Sequence, residues 1–161
     1  MTKTETSEST TLTLTLERLP RPFIKRWDSI ADWLVRHYQS FLKEGFSLGA
    51  YEGGSGRLVG FLLGEREDWN HSLHIWEFHV RPGHQRQGIG RLLMEEAVAR
   101  ARAADYRIIV CETPNTNAPA IHAYRALGFE VGAIDLFYYS NAGADTDRPD
   151  AEVAVFMKLR L

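Results

Sequence analysis

Residues Gln85 to Ala97 read QRQGIGRLLMEEA. Two glycines stand between a charged run and an apolar pattern at helical spacing. A helix start exposes amide N–H groups that lack intrahelical partners, together with the positive end of the helix dipole, and anions bind there. Glycine lets a ligand approach the backbone closely and permits unusual dihedrals. Gln87, Gly88, Ile89, Gly90 and Arg91 would offer successive amides to a pyrophosphate, and Arg86 and Arg91 would add charge. The glycines alone allow a second reading, a tight turn entering a helix that packs on a sheet. Two other phosphate motifs fit worse. Gly83 and Gly88 have P-loop spacing, but Ile89 stands where the motif needs lysine. A dinucleotide fingerprint needs a third glycine where this chain has Leu93.

Outward from that stretch, the pattern is strand-rich. Thr11 to Leu19 (TLTLTLERL) alternates polar and apolar residues, as a half-buried strand does. Ile24 to Lys43 carries an apolar stripe at helical spacing, including Trp27, Leu34, Tyr38 and Phe41. Phe46–Glu52 and Arg57–Glu67 flank GGSG and read as a hairpin. Leu73–Val80 and Tyr106–Glu112 read as strands, Ile89–Ala101 and Pro119–Leu127 as helices, and Gly128 as the C-terminal cap of the second. Glu130–Ser140 and Glu152–Leu161 read as the last two strands, joined by a polar loop. The order β, helix region, β, β, β, α, β, α, β, β is mixed α/β (α+β).

The chain has 161 residues, of which 44% are hydrophobic and 25% charged, with a net charge of -2. This suits one compact domain over 11–161, preceded by a polar, disordered tail over 1–10. No basic excess points to nucleic acid. One cysteine, Cys111, excludes an internal disulfide. No apolar run reaches membrane-spanning length, and the N-terminus lacks a signal-peptide core, so a cytoplasmic location is expected. His71 and His74 lack a third ligand at metal-binding spacing, so no metal is expected.

Two motifs together resemble a known superfamily, the GNAT N-acetyltransferases. Gln85-Arg86-Gln87-Gly88-Ile89-Gly90 matches its [QR]-x-x-G-x-[GA] acetyl-CoA motif after a strand and at a helix start. Asn117, Ala120, Ile121, Tyr124, Gly128 and Phe129 fall on its N-x-x-A-[IV]-x-x-Y-x-x-x-G-F segment. The resemblance runs from about Leu73 to Phe129 and is weak before Leu42. It implies a mixed, mostly antiparallel sheet flanked by helices, with a splayed central pair of parallel strands and acetyl-CoA in the gap. Backbone groups at Phe78, His79 and Val80 would hold the pantetheine arm and acetyl group. Gln85, Arg86, Gln87, Gly88, Ile89, Gly90 and Arg91 would hold the pyrophosphate, and Asn117 and Tyr124 would also contact the cofactor.

The implied reaction is attack of an amine on a thioester. An aliphatic ammonium, with a pKa of about 10.4, must lose a proton first. Glu112 is the first choice as base and Glu77 the second. Tyr124 matches the acid that protonates the departing thiolate. Without the resemblance, Glu112 reads as an exposed strand-end residue, Glu77 as a solvated or salt-bridged one and Tyr124 as core. The region around Trp33 and Tyr38 reads as core rather than substrate pocket, although the resemblance implies that this region forms the acceptor wall. From Val110 to Ser140 the chain looks most like streptothricin-type antibiotic acetyltransferases, which act on an aliphatic amine. Glu65, Glu67, Asp68, Glu77 and Asp135 are candidates for an acidic wall facing a polycation, and equally for a solvated surface. Tyr138 and Tyr139 also resemble a tyrosine pair that covers the peptide in protein N-terminal acetyltransferases. The expected acceptor is therefore a small-molecule amine or, as the alternative, a protein N-terminus or lysine in a peptide, with no nucleic acid or membrane partner, and a homodimer is allowed. A non-catalytic CoA-binding module is the third reading, against which intact Glu112 and Tyr124 argue.

Overall fold

The computed structural model describes residues 2–18, 24, 30–140 and 152–161. Six strands form the main sheet in the order β3-β4-β5-β6-β8-β7. They are β3 (Leu48–Tyr51), β4 (Leu58–Glu67), β5 (Ser72–Val80), β6 (Ile108–Pro114), β7 (Glu130–Asp135) and β8 (Ala154–Arg160). Only the central pair, β5 and β6, is parallel; its neighbours pair antiparallel. A separate hairpin joins β1 (Thr2–Glu5) to β2 (Thr10–Thr13).

Helices α2 (Ile89–Ala103) and α3 (Ala118–Ala126) cover one face of the sheet. In α2, Leu93, Met94, Ala97 and Ala101 form the buried stripe. The two alanines let the helix axis approach Leu62, Leu73, Ile75 and Ile109 in the core closely. Burying a side chain such as Leu93 contributes about 1.5–3 kcal/mol. Helix α1 (Asp32–Phe41) covers the opposite face, where His37 and Tyr38 meet the Trp76 ring. One 3₁₀ turn, Leu42–Glu44, follows it and ends at Gly45 in the left-handed region.

The parallel pairing is short. It runs from Ser72 opposite Ile108 to Ile75 opposite Cys111 and then stops. On its other side, β5 pairs with β4 as far as Gly60 opposite Val80, but with a register shift: Leu63 faces Glu77 and Gly64 faces Ile75. Trp76 is therefore an extra residue on β5, a bulge that bends the strand away from β6. Two strands that pair at one end and part at the other leave a wedge between 76–80 and 112–114.

Four sequence expectations shift. The half-buried strand over Thr11–Leu19 is only β2, and it pairs with β1 inside the segment expected to be a disordered tail. The Thr6 hydroxyl accepts from the Ser9 amide at 2.9 Å and closes that turn locally, at a smaller loop-closure cost than joining the distant sheet. The helix within Ile24–Lys43 starts at Asp32; residues 25–29, like the loop over 141–151, lie outside the described residues. β7 stops at Asp135, whose Oδ1 accepts from the Phe137 amide at 2.9 Å and turns the chain. β6 continues past Glu112 to Pro114, so that carboxylate is interior to the strand, opposite Phe156.

Candidate active site

At the glycine stretch, Arg86 and Gly88 both have positive φ, 60° and 88°. Gly88 is the N-cap of α2 and brings no side-chain cap to the exposed amides of the first turn. Its left-handed conformation disfavours a side chain there, and the space around its missing Cβ is open. Gly90 is bare for a different reason: a Cβ would lie 3.3 Å from the Phe78 ring. Gln85 and Gln87, expected to bind cofactor, use their side chains on the turn itself. Gln85 Nε2 donates to Val80 O at 3.1 Å and Gln87 Nε2 to Gly83 O at 2.9 Å. These bonds tie the turn to the end of β5. Arg86 and Arg91 stand exposed beside it.

On β5, the bulge sets Trp76 and Glu77 on the α1 face, although they are neighbours in sequence. Glu77 accepts from the Tyr38 hydroxyl at 2.6 Å with Oε1, and its Oε2 lies 2.6 Å from His79 Nε2. Burial works to raise the Glu77 pKa, but the bonds from His79 and Tyr38 outweigh it and hold the carboxyl below its ordinary range. The same bond to Glu77 raises His79 above the ordinary imidazole value. Burial, reinforced by Glu77, pushes the Tyr38 hydroxyl far up, so it stays a donor.

On β6, Glu112 lies on the same α1 face of the sheet, two residues along from Val110, which is opposite His74 of β5. Tyr139 donates its hydroxyl to Glu112 Oε1. Tyr138 stacks edge-on against Phe156 at 5.5 Å. Burial, then Glu112, pushes the Tyr139 hydroxyl well up. Tyr124, on α3, approaches from the other face. It is buried beside Phe78 and Phe129, with the Cys111 thiol as a titratable neighbour. Burial is the main cause of its strongly raised pKa, followed by Cys111 and then by the charges of Glu77 and Glu112. That both carboxylates act on it places Tyr124 within electrostatic reach of each. A hydroxyl with so high a pKa stays protonated at neutral pH, so it keeps a proton to give and does not serve as a base.

The structure therefore brings Glu77, Glu112, Tyr124, Tyr139 and Phe78–Val80 to one wedge, with the bare helix start nearby. Asn117 sits as the N-cap of α3, its Oδ1 accepting from the Ala120 amide at 3.3 Å. The expected acidic wall is only partly assembled. Glu65 shares the α1 face, bonded to Trp76 Nε1 at 2.6 Å and lying 3.2 Å from His37 Nε2. Glu67 pairs with His74 at 3.4 Å. Asp68, by contrast, is held by Arg66 and Tyr106, and Asp135 caps its own turn. The region read as core around Trp33 and Tyr38 is not core: Trp33 is 61% exposed, and Tyr38 spends its hydroxyl on Glu77. Sequence reasoning missed Tyr38 and the His79 side chain as site residues. The adjacency Trp76-Glu77 within an alternating strand was the one available sign of a bulge. Among the described residues, no group of three or more His, Cys, Asp or Glu side chains is arranged to hold a metal ion, and no helix is long and apolar enough to cross a membrane.

Comparison with known proteins agrees with this geometry. The Acetyltransferase (GNAT) family profile matches residues 12–129. The streptothricin acetyltransferase of Streptomyces lavendulae is 37% identical over 107 residues, covering 66% of this chain and 54% of that protein. The [ribosomal protein bS18]-alanine N-acetyltransferase of Escherichia coli (strain K12) is 32% identical over 73 residues, covering 45% of this chain and 49% of that protein. Each match thus spans about half the length of the relative. A Bacillus anthracis (strain Ames) structure in complex with acetyl coenzyme A superposes with a TM-score of 0.58 at 26% identity, covering 66% of this chain and 59% of the other. The bare helix start, the parted central strands and the profile match over most of the chain lead to one conclusion: the chain belongs to the GNAT acetyltransferase family.

Proposed function

We propose that residues 11–161 act as one acetyl-CoA-dependent N-acetyltransferase unit that acetylates a cationic small-molecule amine by direct attack. The observation that carries this is the pair of carboxylates, Glu77 and Glu112, on the same face of two parted strands, with Tyr124 in reach of both from the other face. Acetyl-CoA would enter the wedge with its pyrophosphate on the amides of Gln87–Arg91. The edge of β5 over Phe78–Val80 would offer N–H groups to the thioester oxygen, where charge grows as the amine attacks. Glu112 would accept a proton from the acceptor nitrogen, and Tyr124 would donate one to the departing sulfur. The α1 face, with Glu65, Glu77 and Glu112 among Trp76, Tyr138 and Tyr139, suits an ammonium-rich acceptor better than a neutral one.

The likeness to the streptothricin acetyltransferase supports a small-molecule acceptor. The Tyr138–Tyr139 pair, with the likeness to the bS18-alanine N-acetyltransferase, supports a second reading, a peptide N-terminus. Free CoA release from acetyl-CoA, measured with streptothricin, spermine and an alanine-terminal peptide, separates them. The first reading expects kcat/KM for streptothricin or spermine to exceed that for the peptide by at least about tenfold, a difference of about 1.4 kcal/mol. The reverse order selects the peptide. No release with any of the three removes both readings.

A further inference from the structure

Resting on the acetyl-transfer reading above, we propose that His79 is the residue that strips the first proton from the incoming ammonium, held in place by Glu77 and Tyr38.

The proton count requires such a group. An ammonium and acetyl-CoA give an amide, CoA thiol and one free proton. The N–C bond forms, the C–S bond breaks, and the nitrogen sheds two protons. One is matched by the proton that ends on sulfur; the other leaves to solvent. The first must depart before attack, because an ammonium has no lone pair. The second departs once the N–C bond has formed. Glu112, beside Tyr139 and across the wedge from Tyr124, suits the second. The first needs an acceptor that faces solvent and regenerates on every turnover.

Glu77 itself is poorly free for this. Each of its oxygens already accepts a short bond, from Tyr38 on one side and His79 on the other, both at 2.6 Å. An ionised carboxylate can only accept, so the hydrogen in the second bond belongs to His79 Nε2. That assignment fixes the tautomer and leaves the lone pair on Nδ1. The His79 side chain is 59% exposed. It lines a cavity of about 410 Å³ with Gly60, Phe61, Val80 and Arg81, which opens its ring to solvent. Among the described residues, the groups packed around it are few. β4 contributes the Phe61 ring at 5.2 Å, which carries no charge. α1 contributes Tyr38, which stays neutral, and the turn after β5 contributes Arg81. Glu77 is thus the group that offsets the charge of the imidazolium formed when Nδ1 takes the proton. The arrangement is an acid that orients and an imidazole that accepts, with Tyr38 as a second positioning residue that keeps the acid from turning away.

The direction with pH follows. His79 is a base only when neutral, and Glu77 raises the pH at which it becomes neutral. kcat/KM should therefore climb through a value above the ordinary imidazole pKa of about 6.5. Glu77→Gln removes the offsetting charge, so the same climb should move to lower pH while its plateau falls. His79→Ala should abolish that limb and lower kcat/KM by roughly a hundredfold, with added free imidazole restoring part of the loss. Glu112→Gln should lower kcat and leave the limb where it was.

The experiment measures CoA release with streptothricin from pH 5.5 to 9 for the wild type and these three variants. Alongside it, an NMR titration follows the His79 ring in the wild type and in Glu77→Gln without substrates. A downward shift of the His79 titration in Glu77→Gln supports the pairing, and an identical titration in the two proteins overturns it. Normal CoA release by His79→Ala with an unmoved limb overturns the proposal alone. Absence of release by the wild type with streptothricin, spermine and peptide alike overturns the acetyl-transfer reading instead, whatever the titration gives.

Discussion

The two strands that frame the wedge present their carboxylates in opposite ways. On β5 the ladder is broken: the bulge at Trp76 puts two consecutive side chains on one face, and Glu77 is held by its own strand and by α1. On β6 the ladder to β8 is intact, alternation is strict, and Glu112 is met by Tyr139 from the chain that follows β7. The Glu77 contacts belong to the sheet and the helix beneath it. The Glu112 contact comes from the segment just before residues 141–151. The same residue type on two parted strands is thus held at both oxygens by the sheet and helix on one side and met by a tyrosine from a following segment on the other, which is why the proposed mechanism would give the first an orienting role and the second a proton-transfer role.

The largest expected effects fall where the two arms meet. Glu112→Gln keeps shape and removes basicity, so kcat should fall by roughly a hundredfold or more in steady-state assays. Tyr124→Phe removes the hydroxyl and keeps the ring against Phe78 and Phe129. Because an acid that protonates the thiolate acts in the transition state, kcat should drop by a similar factor while acetyl-CoA affinity changes little. Equal kcat in Tyr124→Phe would return that residue to a packing role.

Next comes the helix start that both arms serve. Gly88→Val forces a β-branched residue into the left-handed region, at a cost of about 1–3 kcal/mol, and places methyl groups where the pyrophosphate would sit. Calorimetry should find acetyl-CoA binding weakened by about tenfold or more in a variant whose circular dichroism still reports the fold. Wild-type affinity would remove the helix start from the binding site.

How far these arms could be foreseen follows from the range of the signals that specify them. The glycine turn, α2 and the segment from Asn117 to Phe129 are local devices, so spacing located the turn and the helices and the family resemblance gave the segment its role. The alternation of β6 puts Cys111 and Glu112 on opposite faces, and Cys111 is fully buried. What escaped was set by partners distant in the chain. The Tyr38–Glu77 bond spans 39 residues and the Tyr139–Glu112 bond 27. The bulge is a property of two strands in register, and neither strand states it alone. The N-terminal Thr-Leu alternation was legible as a strand, but not which strand it would pair with. Asp68 and Asp135 read as parts of an acidic wall because charge can be counted in a sequence, whereas direction cannot.

A smaller effect should separate the two tyrosine contacts. Tyr139→Phe removes a donor to Glu112 on the acceptor side, and Tyr38→Phe removes a donor to Glu77 behind the acceptor. The first should raise KM for streptothricin several-fold, and the second should shift the pH limb downward in the manner of Glu77→Gln but by less. If both variants move KM alone, the two arms are not different in kind.

The smallest effect is on stability, and its sign comes from the two shifts in the Glu77–His79 pair. His79 is raised by folding, so its contribution is full below the ordinary imidazole value and is lost as pH climbs through the raised one. Glu77 is lowered by folding, so its contribution is full above the ordinary carboxylate value and is lost as pH falls through the lowered one. Together the pair should stabilise the fold most between about pH 4.3 and 6.5, the ordinary values of the two groups. Thermal melts of wild type and His79→Ala should therefore differ more at pH 5.5 than at pH 8.5, by no more than a few degrees because the ring is largely exposed. Glu77→Gln should erase that pH dependence, since neither partner then has a charge to meet. A difference that is constant across this range would mean that the β5 pair is a contact of shape rather than of charge, and the contrast between the two arms would lose its electrostatic basis.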